Sequence, residues 1–336
     1  MTHIVSPFKP AYRPVLGVVT AATIAFASAL SLTCTEAQAA APQQKTQAPG
    51  FYRMMLGEFE ITALSDGTVD LPVDQLLTRT TPAKVNKVLA ANYLKSPLET
   101  SVNGFLINTG SKLVLVDTGA AGLFGPTLGK LVANLKAAGY QPEQVDEVYI
   151  THMHPDHVGG LAAGGQAAFP NAVVRVDKHD ADFWLSDANY EKAPKDAKGM
   201  FEGARGAVAP YVAAGRFKPF DGDTELVPGV KARANHGHTP GHSVFMVESQ
   251  GHKLLLWGDL MHVAAVQFPQ PQVTIEFDSD SPAAAVQRKK LFAEAAKQGY
   301  LVGGAHLSFP GLGHLRAEGA GYRFVPVNYS VPRDAK

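Results

Sequence analysis

The chain has 336 residues, enough for one large or two small domains, and 46% of them are hydrophobic, so it can bury a sizeable core. Thirty Lys and Arg balance thirty Asp and Glu, giving a formal net charge of zero. Without a Lys/Arg cluster or an interleaved aromatic stripe, the sequence carries no basic field for nucleic acid, and one cysteine cannot form an internal disulfide.

Lys9 and Arg13 precede an apolar stretch from Val15 to Leu32, which ends at Ala37-Gln38-Ala39. A positive start, an apolar middle and a small-residue cleavage site describe a secretory signal peptide over residues 1–39, cut after Ala39. The alternative is a retained membrane anchor, but the many small residues and the cleavage site favour removal. The expectation is a periplasmic or secreted protein with no stable anchor after processing. Cys34 lies inside this leader, so the mature chain has no thiolate to offer.

Residues 40–56, rich in Ala, Pro, Gln and Gly, end in Phe51-Tyr52-Arg53-Met54-Met55-Leu56. They read as an extended arm that needs a surface, either the chain's own domain or a partner subunit. Residues 57–336 read as a single domain, with no linker and no internal repeat. Short β-like runs follow at Phe59–Leu64, Gly104–Asn108, Leu113–Asp117, Glu147–Thr151 and Val173–Asp177. Leu128, Leu131, Val132 and Leu135 recur at helical spacing, with Gly139 as a stop. At about residues 178–224 an insertion sets Phe183-Trp184-Leu185, Tyr190, Met200-Phe201 and Tyr211 among Lys, Asp and Gly, which suits short helices walling a pocket. Val244–Glu248 and Lys253–Trp257 flank Ser249-Gln250-Gly251-His252 as a hairpin. Ser281-Pro282 opens a helix running to Gly299, with Ser281 as the expected N-cap.

The densest chemistry lies in Thr151-His152-Met153-His154-Pro155-Asp156-His157, directly after the β-like Val148-Tyr149-Ile150. Imidazole and carboxylate together suit zinc and similar divalent first-row ions. Four ligands this close cannot close one tetrahedron, because neighbours such as Asp156 and His157 must point apart. Two metals side by side are the natural reading, His152 and His154 on one, Asp156 and His157 on the other. The remaining ligands must come from downstream, where the chain has Gly237-His238-Thr239-Pro240-Gly241-His242-Ser243, Trp257-Gly258-Asp259 and Ala305-His306-Leu307-Ser308-Phe309-Pro310.

In order, spacing and context these residues resemble the metallo-β-lactamase superfamily, whose members carry H-x-H-x-D-H followed by a His, an Asp and a His. Leu115-Val116-Asp117-Thr118-Gly119 also matches a strand and turn of that superfamily. The resemblance implies an α/β fold, the αββα sandwich. It also implies two divalent ions, zinc first, with manganese, cobalt or iron tolerated by the same N/O ligands. By the same resemblance His152, His154 and His238 hold one ion, Asp156, His157 and His306 the other, and Asp259 bridges them. The superfamily uses the first histidine of Gly-His-Thr-Pro-Gly-His, so His242 stands behind the ligands, where a ring N–H can orient them. Two ions sharing a water lower its pKa from about 15.7 toward about 7 and polarise the electrophile. Asp156 and Asp259 are the catalytic carboxylates in this scheme, Asp156 being placed to move a proton.

Within the superfamily the chain is similar to methyl parathion hydrolase and its lactonase and arylesterase (dihydrocoumarin hydrolase-like) relatives. The matching blocks are Glu60–Gly67, Pro97–Val102, Gly119–Gly129, His306–His314 and Arg323–Tyr329. That resemblance suggests a homodimer and an apolar pocket formed by Leu77, Phe124, Trp184, Met200, Phe201, His262, Ile275, Phe277 and Phe309. Phosphotriester specialists tend to carry arginine where Leu77 stands, leucine where His262 stands, and smaller residues near Ile275 and Phe277. A tetrahedral phosphorus centre would find this pocket narrow, so lactones or aryl esters are the expected substrates and phosphotriesters the alternative. A non-catalytic metal-binding role is a further alternative, against which the full ligand set argues.

Overall fold

Tyr52 and Leu56 turn inward from strand β1 (Phe51–Leu56), which pairs antiparallel with β2 (Phe59–Leu71), Phe51 opposite Leu64 and Leu56 opposite Phe59. Strands β3 (Leu98–Asn108), β4 (Leu113–Val116), β5 (Glu147–Tyr149) and β6 (Val173–Arg175) complete a six-stranded sheet in the order β1-β2-β3-β4-β5-β6. It is antiparallel from β1 to β4 and parallel from β4 to β6. This is the computed structural model of the chain, and it describes residues 41–331. The expected leader, residues 1–39, lies outside the described residues.

A second sheet has seven strands: β7 (Thr224–Val227), β8 (Val230–Ala234), β9 (Ser243–Ser249), β10 (His252–Leu256), β11 (Leu301–Gly303), β12 (Leu312–Glu318) and β13 (Gly321–Pro326). They lie in chain order, with β10 and β11 parallel and every other neighbouring pair antiparallel. The two sheets face each other across one core, in which Ile61, Phe105, Val114 and Tyr149 meet Ala232, Phe245, Val247 and Leu254. Helices α1 (Pro82–Ala91), α2 (Leu131–Ala137), α3 (Pro155–Val158), α4 (Lys178–Trp184), α5 (Asp187–Lys192), α6 (Lys198–Ala213) and α7 (Ser281–Gln298) surround them. Leu131 and Leu135 of α2 and Phe201, Ala204 and Val208 of α6 cover the outer face of the first sheet. Leu291, Phe292 and Ala295 of α7 cover that of the second. The architecture is an αββα sandwich. Among the described residues no helix is long and apolar enough to cross a membrane.

Two expectations need correction and one alternative is decided. Of the two surfaces expected for the arm over residues 40–56, its last six residues take the chain's own domain, as the edge strand Phe51–Leu56. Strand β2 runs seven residues past Leu64, the end of the expected run, because Ser65-Asp66-Gly67 is a bulge in the pairing with β3. Gly67 has φ 126°, and a Cβ there would lie 2.0 Å from the Thr127 carbonyl oxygen, so only glycine fits. Helix α7 is capped by Asp280, not Ser281: Asp280 Oδ1 accepts from the Ala283 N–H at 2.9 Å. The hairpin at 249–252 has Gln250 (φ 51°) and Gly251 (φ 78°) at its centre, the two positive angles that a tight two-residue turn requires.

Candidate metal centre

The ligand-bearing loops follow strand ends. His152–His157 follow β5, Asp259 follows β10, His306 follows β11, and His238 lies between β8 and β9. Parallel pairing of β5 with β4 and of β11 with β10 sends these loops out at one end of the sandwich, where crevices in such sheets form.

The side chains gather in two sets that share Asp259. His152, His154, His238 and Asp259 form one, and Asp156, His157, Asp259 and His306 the other; in each, the potential ligand atoms lie within 4.8 Å of one another. Both oxygens of the Asp259 carboxylate face these rings, and His306 Nε2 lies 3.1 Å from Oδ2 as well as from Oδ1. Oδ2 lies 3.4 Å from His238 Nε2 and 3.6 Å from His152 Nε2, while Oδ1 lies 3.1 Å from both His157 Nε2 and His306 Nε2. His154 turns Nδ1 inward, 3.1 Å from His238 Nε2. Asp156 Oδ2 lies 3.4 Å from His306 Nε2.

Whether this donor set fits metal ions can be judged from its lone pairs. His152 Nε2, His157 Nε2 and Asp259 Oδ1 are buried and have no hydrogen-bond partner. Leaving a buried polar atom unpaired costs about 1–3 kcal/mol, and native folds avoid it. Three such atoms converging on one region, in a site without thiolates, fit divalent cations held by nitrogen and oxygen.

Three of the inward nitrogens are fixed by a bond at the opposite side of the ring. His157 Nδ1–H donates to Asp117 Oδ2 at 2.8 Å, His238 Nδ1–H to Asp278 Oδ1 at 2.9 Å, and His306 Nδ1–H to the Ser101 carbonyl at 2.9 Å. These bonds select the tautomer that leaves Nε2 free to coordinate. Asp117 also accepts from the Thr151 N–H and hydroxyl, both at 2.8 Å. Asp180, fully buried on α4, accepts from the Met153 N–H at 2.7 Å and the Gly241 N–H at 2.6 Å, and so ties the two histidine loops together. Burial pushes its carboxyl above the ordinary value, against the hydrogen bonds it accepts.

His242 contributes no ligand atom to either set. Its Nδ1–H donates to the Asn235 carbonyl at 3.2 Å and its Nε2 accepts the Asp259 N–H at 3.2 Å, so both ring nitrogens are occupied. Burial pushes its pKa down to about 3, which keeps the ring neutral for that acceptor role.

A cavity of about 90 Å³ opens onto both sets, walled by Val69, Leu71, Phe124, Met200, His262 and Phe277 beside His154, Asp156, Asp259 and His306. A groove of about 430 Å³ shares His154, Met200 and Phe277 with it and is lined further by Phe183, Trp184, Ala193, Pro194 and Phe201. Trp184 stands edge-on to His154, their centroids 5.4 Å apart, so the insertion supplies much of this apolar wall. His262 reaches the centre itself: its Nε2 lies 3.0 Å from Asp259 Oδ2, and its ring stacks on His306 at 5.1 Å.

Of the nine pocket residues expected from sequence, Phe124, Met200, His262 and Phe277 line the cavity, and Trp184 and Phe201 line the groove. Leu77 and Ile275 line neither. They pair with each other across a two-residue ladder and are buried among Val73, Val85, Leu89 and Val273. Phe309 also lies outside both walls and is partly exposed. Asp117, Asp180 and Asp278 are positioning residues that the sequence does not reveal: Asp117 belongs to the Leu115–Gly119 strand and turn, and Asp180 and Asp278 carry no local signal.

The metallo-beta-lactamase superfamily signature matches residues 98–306. An N-acyl homoserine lactonase of Bacillus sp is 30% identical over 187 residues, covering 50% of this chain and 65% of the lactonase. Among solved structures, hydrolase AbOPH of the beta lactamase superfamily superposes with TM-score 0.81 at 39% identity, covering 85% of this chain and all of that one. AidC, a dizinc quorum-quenching lactonase in complex with a product N-hexanoyl-L-homoserine, superposes with TM-score 0.77 at 26% identity, covering 84% of this chain and 99% of its own. With its signature, sandwich and paired His/Asp sets in register, this chain belongs to the metallo-β-lactamase superfamily and carries that fold's two-metal ligand arrangement.

Proposed function

We propose that this protein is a dizinc hydrolase that opens lactones, with aryl esters as the nearest alternative substrates. The observation that carries the reading is the shared Asp259, which joins two complete N/O ligand sets at the floor of an apolar cavity. His152, His154 and His238 would hold one ion, Asp156, His157 and His306 the other, with Asp259 between them. Once bound, such ions acidify water to a pKa of about 7 and polarise a carbonyl. Similarity to an N-acyl homoserine lactonase and to AidC, a lactonase seen with its product, supports the substrate class.

The chain's own residues do the rest. Phe124, Met200 and Phe277 exclude bulk water around the ester carbonyl, and the Trp184–Phe201 groove accepts an apolar tail. The Asp156 carboxylate faces the cavity. Burial opposes its charge, but the His157 and His306 rings beside it hold its carboxyl below the ordinary value. It can take the proton of the attacking water and return it to the ring oxygen that leaves as the acyl–oxygen bond breaks. Lactone and water give one hydroxy acid.

The second reading is phosphotriester hydrolysis of the methyl parathion type, in line with the subfamily resemblance of the sequence. His262 and Phe277 narrow the space beside Asp259, which disfavours a tetrahedral centre with two alkoxy arms. Comparative kcat/KM on an N-acyl homoserine lactone, dihydrocoumarin, an aryl acetate and methyl parathion tests the ranking. A lactone should lead, and methyl parathion leading would reverse the reading.

A further inference from the structure

Asp177, His179 and His236 form a third His/Asp cluster that none of the chemistry above uses. Their potential ligand atoms lie within 4.8 Å of one another. Asp177 is fully buried. Its Oδ1 accepts from the His179 N–H and lies 2.8 Å from His179 Nδ1. Its Oδ2 has no hydrogen-bond partner and faces His236 Nε2 at 3.5 Å, itself a buried atom without a partner. These two buried atoms face each other at ion-pair distance, beyond a well-formed hydrogen bond. Donor atoms on one tetrahedral zinc stand about 3.4 Å apart when its bonds are about 2.1 Å long. The gap between Asp177 Oδ2 and His236 Nε2 matches that spacing, whereas the His179 Nδ1 contact with Oδ1 at 2.8 Å is a hydrogen bond that a bound cation would replace. The His179 side chain is 54% exposed and that of His236 34%, so the outer side is open to water for a further coordination position.

We propose that Asp177, His179 and His236 form a third transition-metal site, separate from the paired centre and weaker than it. Two imidazoles and one carboxylate suit zinc, cobalt, nickel or copper(II) better than calcium or magnesium. Its position gives the site a consequence. Asp177 immediately precedes α4, whose Asp180 grips Met153 and Gly241, and His236 stands two residues before His238. A cation here clamps the start of α4 to the loop that carries His238.

Equilibrium dialysis of the purified protein against buffered zinc, followed by elemental analysis, tests this with a readout independent of turnover. Wild type should take up two equivalents tightly and a third at higher free zinc. His179→Ala, a change at an exposed side chain, should stop at two, its third-site affinity weakened at least tenfold, and keep its esterase or lactonase rate at two equivalents. Zinc added beyond two equivalents should raise the Tm of wild type and not that of the variant. Saturation of wild type at two equivalents would overturn the proposal, as would a variant that still binds three. Failure of the paired centre would show differently, as loss of the first two equivalents in both proteins.

Discussion

The backbone N–H of Asp259 donates to His242 Nε2 at 3.2 Å, and this bond separates the two histidines of Gly-His-Thr-Pro-Gly-His. With Nδ1 committed to Asn235, His242 has no lone pair left for a metal, whereas His238 Nε2 faces the cluster. His238→Ala should therefore lose one metal and nearly all activity. His242→Ala should keep both metals while activity falls about 10–100-fold, the range for partners that orient ligands. Elemental analysis beside steady-state kinetics distinguishes the two variants, and the opposite pattern of metal loss would exchange their roles.

Asp180 joins the His152–His154 loop to the His238–His242 loop through two buried backbone N–H groups. Removing it leaves two buried N–H groups unpaired, which costs about 1–3 kcal/mol each. Asp180→Ala should lower the Tm by several degrees and weaken zinc binding at the His152/His154/His238 set, with Asp180→Asn between it and wild type. Thermal denaturation with a zinc titration checks both effects. A variant as stable as wild type would show that the loops hold each other without this carboxylate.

His262 sits 3.0 Å from Asp259 Oδ2 and lines the cavity with Phe277. His262→Leu should shift the ratio of kcat/KM toward methyl parathion and away from a lactone. One side chain changes such discrimination by about 10–200-fold. Phe277 still narrows the site, so the single variant belongs at the lower end. An unchanged ratio would mean that width beside Asp259 does not set specificity.

The apolar leader ending at Ala37-Gln38-Ala39 predicts export with cleavage after Ala39. Mass spectrometry of protein recovered from its native compartment should give an N-terminus at Ala40. Soluble protein that retains Met1 would contradict this.

The metal ligands were legible because four of them fall within six consecutive residues, too crowded for one tetrahedron and most naturally read as two ions. The downstream partners were legible only as His- and Asp-bearing turns, and choosing His238 over His242 needed the family pattern. The structural ground for that choice, the Asp259–His242 bond, joins residues 17 apart through a backbone N–H, which no side-chain pattern records. Asp180 and Asp278 stayed hidden for the same reason, since both act on loops distant in sequence. Leu77 and Ile275 went astray because apolar residues look alike in sequence, whether they face a cavity or pair inside a small core cluster. The expected run Phe59–Leu64 stops at Ser65-Asp66-Gly67, where the β-like residues give out. Asp66 accepts from the Ala120, Gly129 and Leu131 N–H groups, and this bonding carries the strand through a bulge.

The central claim is that two bound ions, held by the shared Asp259, perform lactone opening. Protein stripped with a chelator should show no turnover of an N-acyl homoserine lactone. Stepwise return of zinc should restore the rate, saturating at two equivalents per chain, while Asp259→Ala stays inactive at every zinc level. Full lactone turnover by the stripped protein, or saturation of the rate at one equivalent, would contradict the account.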